Sequence, residues 1–435
     1  MTQAPSAQSA PPSGLLPRVK AAVSAIEVDS RLLSMIVALI VIWVGFNIVS
    51  GGKFLEPRNM WNLSVQTASV AVMATGMVLI IVARHIDLSV GSVLGLVGMV
   101  MALLSVEIIP KALGFGVNQP WTWIVTVLVG LVLGALIGGF QGGLVAYVGI
   151  PSFVVTLGGL LVWRAVTFTL ASGRTIAPMD STFQLLGGGP KGSVGETVSW
   201  ILGILACLGI VYGIYAARRR RQRYDFPVRP LPLDIGIAVV GCAVVLLAVN
   251  HANSYPWPAK LAEQYAIANG IDPVGFTLGT GIANPVLIAI GVAIVMTFFA
   301  TRRRFGRYVY AIGGNPDAAE LSGINTRRTI MLTFALMGVL AAVSAVISTA
   351  RLNAATNQAG TGDELDVIAA AVIGGTSFAG GIGTIPGAVL GALMIQSIRS
   401  GMQLIGLDNA PQMIAVGAIL VAAVGIDQVL RRRAG

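Results

Sequence analysis

Long apolar runs separated by short polar stretches dominate this chain. A helix that crosses a bilayer needs about 20 mostly apolar residues, and about twelve runs approach that length. Several runs are short or interrupted by Gly and Pro, which is tolerated in a membrane where protein or water surrounds the broken helix. The pattern therefore predicts an all-α, polytopic transmembrane helix bundle. The predicted spans are 33–50, 64–83, 89–106, 121–147, 151–171, 198–217, 235–250, 282–300, 329–350, 365–378, 384–398 and 411–430.

Arginine is concentrated in a few of the polar stretches, and this predicts the orientation. Loops rich in Lys and Arg face the cytoplasm, so the basic loops 218–233 and 301–328 are predicted to be cytoplasmic. The stretch 251–281 between them has Lys260 as its only Lys or Arg and is predicted to be extracytoplasmic. An even number of spans then places both termini in the cytoplasm. Residues 1–30, rich in Ala, Ser, Gln and Pro, are predicted to be a disordered tail before a transmembrane domain of residues 31–435.

Composition narrows the class of protein. Hydrophobic residues make up 55% of the 435 positions and charged residues only 11%, whereas soluble domains carry about 25% charged residues. The net charge of +10 does not indicate a nucleic-acid partner, because the basic residues lie between apolar runs that need a lipid bilayer around them. With only two His and no cluster of metal ligands or nucleophile–base pair, neither a metal site nor a catalytic site is predicted, which disfavours a membrane enzyme.

The basic loop 301–328 contains the signals of a very short helix. Asn315 can cap its start, Pro316 suits its first turn, and acidic residues favour the positive end of the helix. Gly323 can end it in a left-handed conformation. The predicted element is about two turns long, too short to be stable alone. Its residues are Asn315, Pro316, Asp317, Ala318, Ala319, Glu320, Leu321 and Gly323.

Two interpretations of this short helix remain open from its residues. It can dock into a groove on a partner protein, with Ala318, Ala319 and Leu321 as contacts. It can equally be an ordinary capped turn between two spans. The chain has no Gly-x-x-x-x-Gly-Lys-Ser/Thr phosphate loop, so it carries no nucleotide-hydrolysing site of that type.

Polar residues near two interruptions of the apolar pattern are candidates for a substrate pathway. The stretch 84–92 places ionisable residues between two apolar runs, where they are costly unless paired or wet. In the stretch 363–391, glycine pairs interrupt an apolar run and can expose backbone dipoles to a polar solute. Simple turns explain both stretches too, and packing explains Thr156. The candidate pathway residues are Asp87, Ser89, Thr156, Asp366, Thr376 and Ser377.

Four stretches resemble the ribose/xylose/galactoside-type sugar permeases of ABC importers. The stretch 317–323 is similar to the EAA loop of importer permeases, and 86–92, 148–158 and 363–391 are similar to three further blocks of the sugar permeases, in the same order. One departure is clear: Arg84 and His85 stand where the family usually has two small residues before Ile86. The length of 174–281 and the string 320–328 favour the xylose branch of the family.

The resemblance implies a permease subunit that imports a monosaccharide, D-xylose, across the bacterial inner membrane. Its expected partners are a second copy of this chain, an extracytoplasmic sugar-binding protein and a separate ATPase that binds the ATP, so no cofactor is expected in this chain. Residues 315–323 would then be the coupling helix that docks on the ATPase. The alternative is a twelve-span, ion-coupled secondary sugar transporter, which would need matching broken helices in two halves, and no such internal symmetry is visible.

Overall fold

The computed structural model describes residues 30–114 and 116–434, and these form helices joined by turns and irregular segments, with only isolated β-bridges. The first helices along the chain are α1 (Ser30–Val49), α2 (Pro57–Val82), α3 (Val90–Leu113), α4 (Thr122–Val148), α5 (Ser152–Ala171), α6 (Ser181–Gln184), α7 (Gly195–Arg223) and α8 (Leu231–Asn253). The remaining helices are α9 (Ala259–Ala268), α10 (Asn284–Arg302), α11 (Arg304–Gly314), α12 (Pro316–Leu321), α13 (Thr326–Leu352), α14 (Asp363–Ile373), α15 (Ile385–Leu404) and α16 (Asn409–Ala434).

Nine helices in the described residues are long and apolar enough to cross a membrane, and each coincides with one of the first nine predicted spans. The other three predicted spans differ from these nine. The span 365–378 falls on α14, which has only 11 residues, too few for a bilayer. The span 384–398 falls on the 20-residue α15, and 411–430 falls on α16, whose apolar part is shorter. The predicted tail 1–30 lies almost entirely outside the described residues.

The chain divides into two compact units. The described part of the smaller unit is 30–34 and 201–248, and the larger unit contains 35–200 and 249–434. In the smaller unit the Arg218 guanidinium lies 2.7 Å from the Asp234 carboxylate and donates to the Arg229 carbonyl. Cys207 and Cys242 are free, and each thiol lies near the backbone carbonyl of the other cysteine.

The core of the larger unit surrounds α2. Its residues from Val70 to Val82 are almost completely buried, and α10, α13, α14 and α15 pack against this helix. Closely approaching backbones hold α4 against α13, because a Cβ added to Gly134 or Gly138 would strike the α13 backbone. The glycines repeated every four residues therefore do bring two helices together, as small residues at this spacing do in membranes.

Candidate functional site

The short helix α12 forms as its sequence predicts. The Asn315 side chain accepts a hydrogen bond from the Ala318 amide at 3.0 Å, and Pro316 occupies the first turn. Ser322 follows the helix, and Gly323 then adopts a left-handed backbone with φ 84°. The capping, start and end signals read from the residues are therefore confirmed.

The outer face of α12 is exposed. The Leu321 side chain is 90% exposed, an unusual position for a large apolar side chain, and Ala318 beside it is also exposed. Ala319 differs, because it is only 4% exposed and packs into its own chain. Ala319 therefore supports the helix from inside, which corrects the expectation that it contacts a partner. A partner would meet Ala318 and Leu321.

The preceding helix α11 joins α12 to the membrane-spanning core. Its buried residues, such as Val309 and Ile312, recur at helical spacing along one face. The Tyr310 hydroxyl donates to the Gly383 carbonyl at 2.6 Å, and burial raises the pKa of this phenol, so it stays a donor at neutral pH. At the end of α11, the Arg84 guanidinium donates to the Gly313 and Gly314 carbonyls at 2.7 and 2.8 Å.

The first break in the transmembrane pattern, residues 85–89, lies between α2 and α3. Asp87 is only 3% exposed, and it accepts hydrogen bonds from the Ser89 amide at 2.9 Å and the Ser89 hydroxyl at 2.7 Å. The Ser89 hydroxyl also lies 3.0 Å from Gln141 Oε1 on α4. Burial lowers the pKa of His85, which keeps its imidazole neutral near pH 7. Asp87 and Ser89 are therefore brought together, and Gln141 completes their polar cluster.

Thr156 lies beside the same break. Its hydroxyl donates to the Ser152 carbonyl at 2.9 Å and lies 3.3 Å from the Ile86 carbonyl. The Ile86 amide in turn donates to the Ser152 hydroxyl. Thr156 is buried, and its hydroxyl satisfies backbone carbonyls at the break.

The second break is the irregular segment 353–362 that leads from α13 into α14. Arg164 on α5 donates to the Asn357 and Ala359 carbonyls of this segment at 3.0 and 2.6 Å. The first turn of α3 meets this second break where Gly91 and Gly360 touch, since a Cβ on either glycine would strike the backbone carbonyl of the other. Backbone freed from regular helix is thus held by a neighbouring arginine and by close packing, as a membrane interior requires.

Asp366 lies near the start of α14 and is 1% exposed. Its carboxylate pairs with Arg399 on α15 at 2.7 Å and accepts from the Gln396 amide at 3.3 Å. The sequence predicted Asp366 but missed Arg164, Arg399, Gln396 and Gln141. An arginine inside or beside an apolar run was the available signal for the first two; nothing local marked the two glutamines.

The turn that follows α14 contains Thr376 and Ser377, which are 2% and 1% exposed. The Ser377 amide donates to the Ile382 carbonyl, and its hydroxyl accepts from the Ala379 amide, so Ser377 closes the turn. Thr376 Oγ1 is buried without a hydrogen-bond partner among the described residues. The Gly381 amide donates to the Val82 carbonyl at 3.0 Å, which places this turn at the end of α2.

A cavity of about 450 Å³ opens between the first break and this turn. It is mostly apolar, with Arg84 and His85 as its charged or polar side chains. Its lining residues are Arg84, His85, Ile86, Phe378, Leu420 and Val424.

Nine long apolar helices in the described part of the chain, irregular segments between them and a short exposed helix between two spans are typical of a membrane transport protein. Residues 59–424 match the family described as the permease component of branched-chain amino acid transport systems, and the chain belongs to that family. It is therefore a multi-pass membrane protein.

Several curated relatives extend over nearly the whole chain. The xylose transport system permease protein of Haemophilus influenzae is 38% identical over 401 residues, 92% of this chain and 97% of that protein. The corresponding xylose permease of Escherichia coli K12 is 36% identical over 407 residues, 94% of each chain. The ribose import permease protein of Escherichia coli K12 is 30% identical over 375 residues, 86% of this chain and 87% of that protein. No solved structure matches the chain.

Proposed function

We propose that this chain is the membrane-spanning subunit of an ATP-driven ABC importer that carries a monosaccharide across the bacterial inner membrane. The observation that carries the proposal is the outer face of α12, where an exposed leucine stands on a capped two-turn helix between two apolar spans. A helix of six residues gains little stability from its own hydrogen bonds. Its exposed face is suited to a groove on a partner, and α12 is accordingly the coupling helix for a separate ATPase subunit.

The nine long helices supply nine crossings of the membrane. The segment 353–362 with α14, then α15, then α16 supply three more, which brings the total to the twelve that the sequence predicts. Both termini and the basic loops 218–233 and 301–328 then face the cytoplasm, and 251–281 faces outside.

The sugar enters from an extracytoplasmic binding protein and passes through a homodimer of this chain. ATP is bound by the ATPase subunits, and their closure moves the two α12 helices as rigid bodies. That movement reaches the end of α2 and the turn that follows α14 through α11, which is hydrogen-bonded to both. A neutral sugar needs hydroxyl partners and backbone dipoles rather than a fixed counter-charge. Asp87, Ser89, Thr156, Asp366, Thr376 and Ser377 remain proposed contributors to the pathway, through hydrogen bonds or by shaping the breaks.

D-Xylose is the proposed substrate. The two xylose transport relatives share 38% and 36% of aligned positions with this chain, against 30% for the ribose relative. The xylose relatives also extend over more of the chain, since the alignments cover 92% and 94% of it, against 86% for the ribose relative.

Uptake of radiolabelled D-xylose into proteoliposomes tests the proposal. The chain is reconstituted with its ATPase and its sugar-binding protein, and uptake is expected only with ATP and both partners. Leu321→Glu should reduce ATP-driven uptake at least about tenfold, because it places a charge at the centre of a docking contact. Tyr224→Glu is the control, since it adds the same charge at an exposed aromatic residue of the other basic loop.

Two results would overturn the proposal. Uptake driven by a proton or sodium gradient without the ATPase would assign the chain to the secondary transporters. Normal ATP-driven uptake by the Leu321→Glu protein would remove α12 from the coupling step.

A further inference from the structure

Arg84 holds a backbone conformation that a glycine would adopt more easily. The helix α2 ends with the Arg84 amide bonded to the Ile81 carbonyl and the His85 amide bonded to the Ile80 carbonyl. This is the Schellman arrangement, in which the residue at the Arg84 position is usually glycine. Arg84 has φ 66° there, a left-handed conformation that costs free energy for any residue with a Cβ. The side chain must offset that cost.

The Arg84 side chain binds the end of another helix. Its Nε and Nη2 atoms donate to the carbonyls of Gly313 and Gly314, the last two residues of α11. The final carbonyls of a helix have no partner within the helix and carry the negative end of its dipole. A planar guanidinium satisfies two such carbonyls at once. Arg84, just after the end of α2, therefore caps the end of α11 with two hydrogen bonds.

A third element meets the same side chain. A Cβ added to Gly380 would strike Arg84 Cγ, so the turn after α14 lies directly against the arginine. The neighbouring Gly381 amide bonds to the Val82 carbonyl. The ends of α2 and α11 and the turn 374–384 thus converge on one residue.

We propose that Arg84 is a positioning residue that transmits movement of α12 to the first helix break and to the turn that follows α14. On one side, Gly314 is followed directly by Asn315, the cap of α12. On the other, Arg84 is followed directly by the first break, 85–89, and touches the turn that follows α14. The inference rests on the proposed docking of an ATPase at α12.

The decisive variant is Arg84→Gly. Glycine removes both hydrogen bonds to α11 and relieves the left-handed strain, so it favours the local fold of α2 while deleting the link. In proteoliposomes with the ATPase and the sugar-binding protein, ATP hydrolysis should persist. The amount of D-xylose imported per ATP hydrolysed should fall about tenfold, within the range for residues that carry coupling between sites.

The matched control is Ser172→Gly. Ser172 also has a left-handed backbone, φ 51°, and it caps the end of α5. It should leave the xylose-to-ATP ratio unchanged. Arg84→Lys should retain part of the wild-type xylose-to-ATP ratio, because an ammonium can bind one carbonyl but lacks the two parallel N–H donors of a guanidinium. If Arg84→Gly accumulated poorly, Arg84→Asn would serve instead, since Asn tolerates the left-handed conformation and is too short to reach the carbonyls.

Hydrogen exchange followed by mass spectrometry separates transmission from simple stability. A non-hydrolysable ATP analogue bound by the ATPase should change the exchange of 304–321 and of 85–89 together in the wild type. In Arg84→Gly the change at 304–321 should persist, and the change at 85–89 should be lost. A role confined to stability would leave the two responses linked.

The outcomes distinguish this inference from the proposed function. The role of Arg84 would be overturned if the Arg84→Gly protein kept the xylose-to-ATP ratio of the wild type and the linked change in hydrogen exchange. That holds even if Leu321→Glu abolished uptake. Loss of ATP dependence in the wild type, or normal uptake by Leu321→Glu, would overturn the proposed function itself.

Discussion

The two helix breaks satisfy their freed backbone by different means. Around 85–89 the polar partners are uncharged. Ser89 donates hydrogen bonds to Asp87, and Ser152 and Thr156 are hydrogen-bonded to the backbone of Ile86. Around 353–373 the partners are charged: Arg164 on α5 and Arg399 on α15. Arg164 binds carbonyls about 190 positions away along the chain, and Arg399 neutralises the buried Asp366.

This difference separates a deformable break from a rigid one. Hydroxyl contacts are worth about 1 kcal/mol each, whereas breaking a buried ion pair costs about 3–5 kcal/mol because one charge is left without a partner. The first break is also the one that Arg84 connects directly to α11. We therefore expect the first break to move during transport and the second to serve as the frame against which it moves.

The largest expected effect is at the ion pair of the second break. Arg399→Met should lower the free energy of unfolding by about 3–5 kcal/mol, because Asp366 stays buried without its cation. Denaturant unfolding of the purified protein in detergent micelles measures it. The double variant Asp366→Asn, Arg399→Gln should recover most of the loss, since position 366 then carries no unpaired charge.

A surface ion pair provides the control for that experiment. Arg174 lies 3.4 Å from Glu107, and its side chain is 60% exposed. Arg174→Gln should cost less than about 1 kcal/mol, as exposed pairs do. Equal losses for Arg399→Met and Arg174→Gln would contradict the claim that the second break is a rigid frame.

An intermediate effect is expected at Arg164. Arg164→Ala removes two charge-assisted hydrogen bonds to 353–362 and should cost about 2 kcal/mol, with faster hydrogen exchange confined mainly to that segment. Arg164→Lys should retain about half of the stabilisation, because one ammonium replaces a guanidinium that reaches two carbonyls. Unchanged exchange across 353–362 in Arg164→Ala would show that packing at Gly91 and Gly360 holds the break without the arginine.

The smallest effect is expected at the first break. Ser89→Ala removes a hydroxyl shared between Asp87 and Gln141 and should cost about 1 kcal/mol in the same unfolding assay. Ser92→Ala, one turn along α3, removes only a bond to the Ser89 carbonyl and should change stability by at most a few tenths of a kcal/mol. A loss at Ser89 as large as that at Arg399 would reverse the proposed order of the two breaks.

The features predicted correctly from sequence are those set by local physics. Nine apolar spans follow from bilayer thickness, and the cap, start and end of α12 follow from residues within nine positions of each other. The helix contact through Gly134 and Gly138 follows from the spacing of small residues. The sequence could not predict roles that depend on the direction in which a side chain points. Ala319 has the same chemistry as Ala318, yet the register of α12 against α11 buries one and exposes the other.

By itself, the sequence determined the class of protein, nine of the predicted spans and the short element between two spans, because hydrophobic length, capping and charge bias act over a few residues. Only the tertiary structure decided which polar groups meet. Arg84 with the end of α11, Arg164 with 357–359, and Asp366 with Arg399 are pairs joined by folding of distant segments. The physical reason is that a buried polar group must find a partner wherever the packed chain provides one, and nothing in its own neighbourhood records where that is.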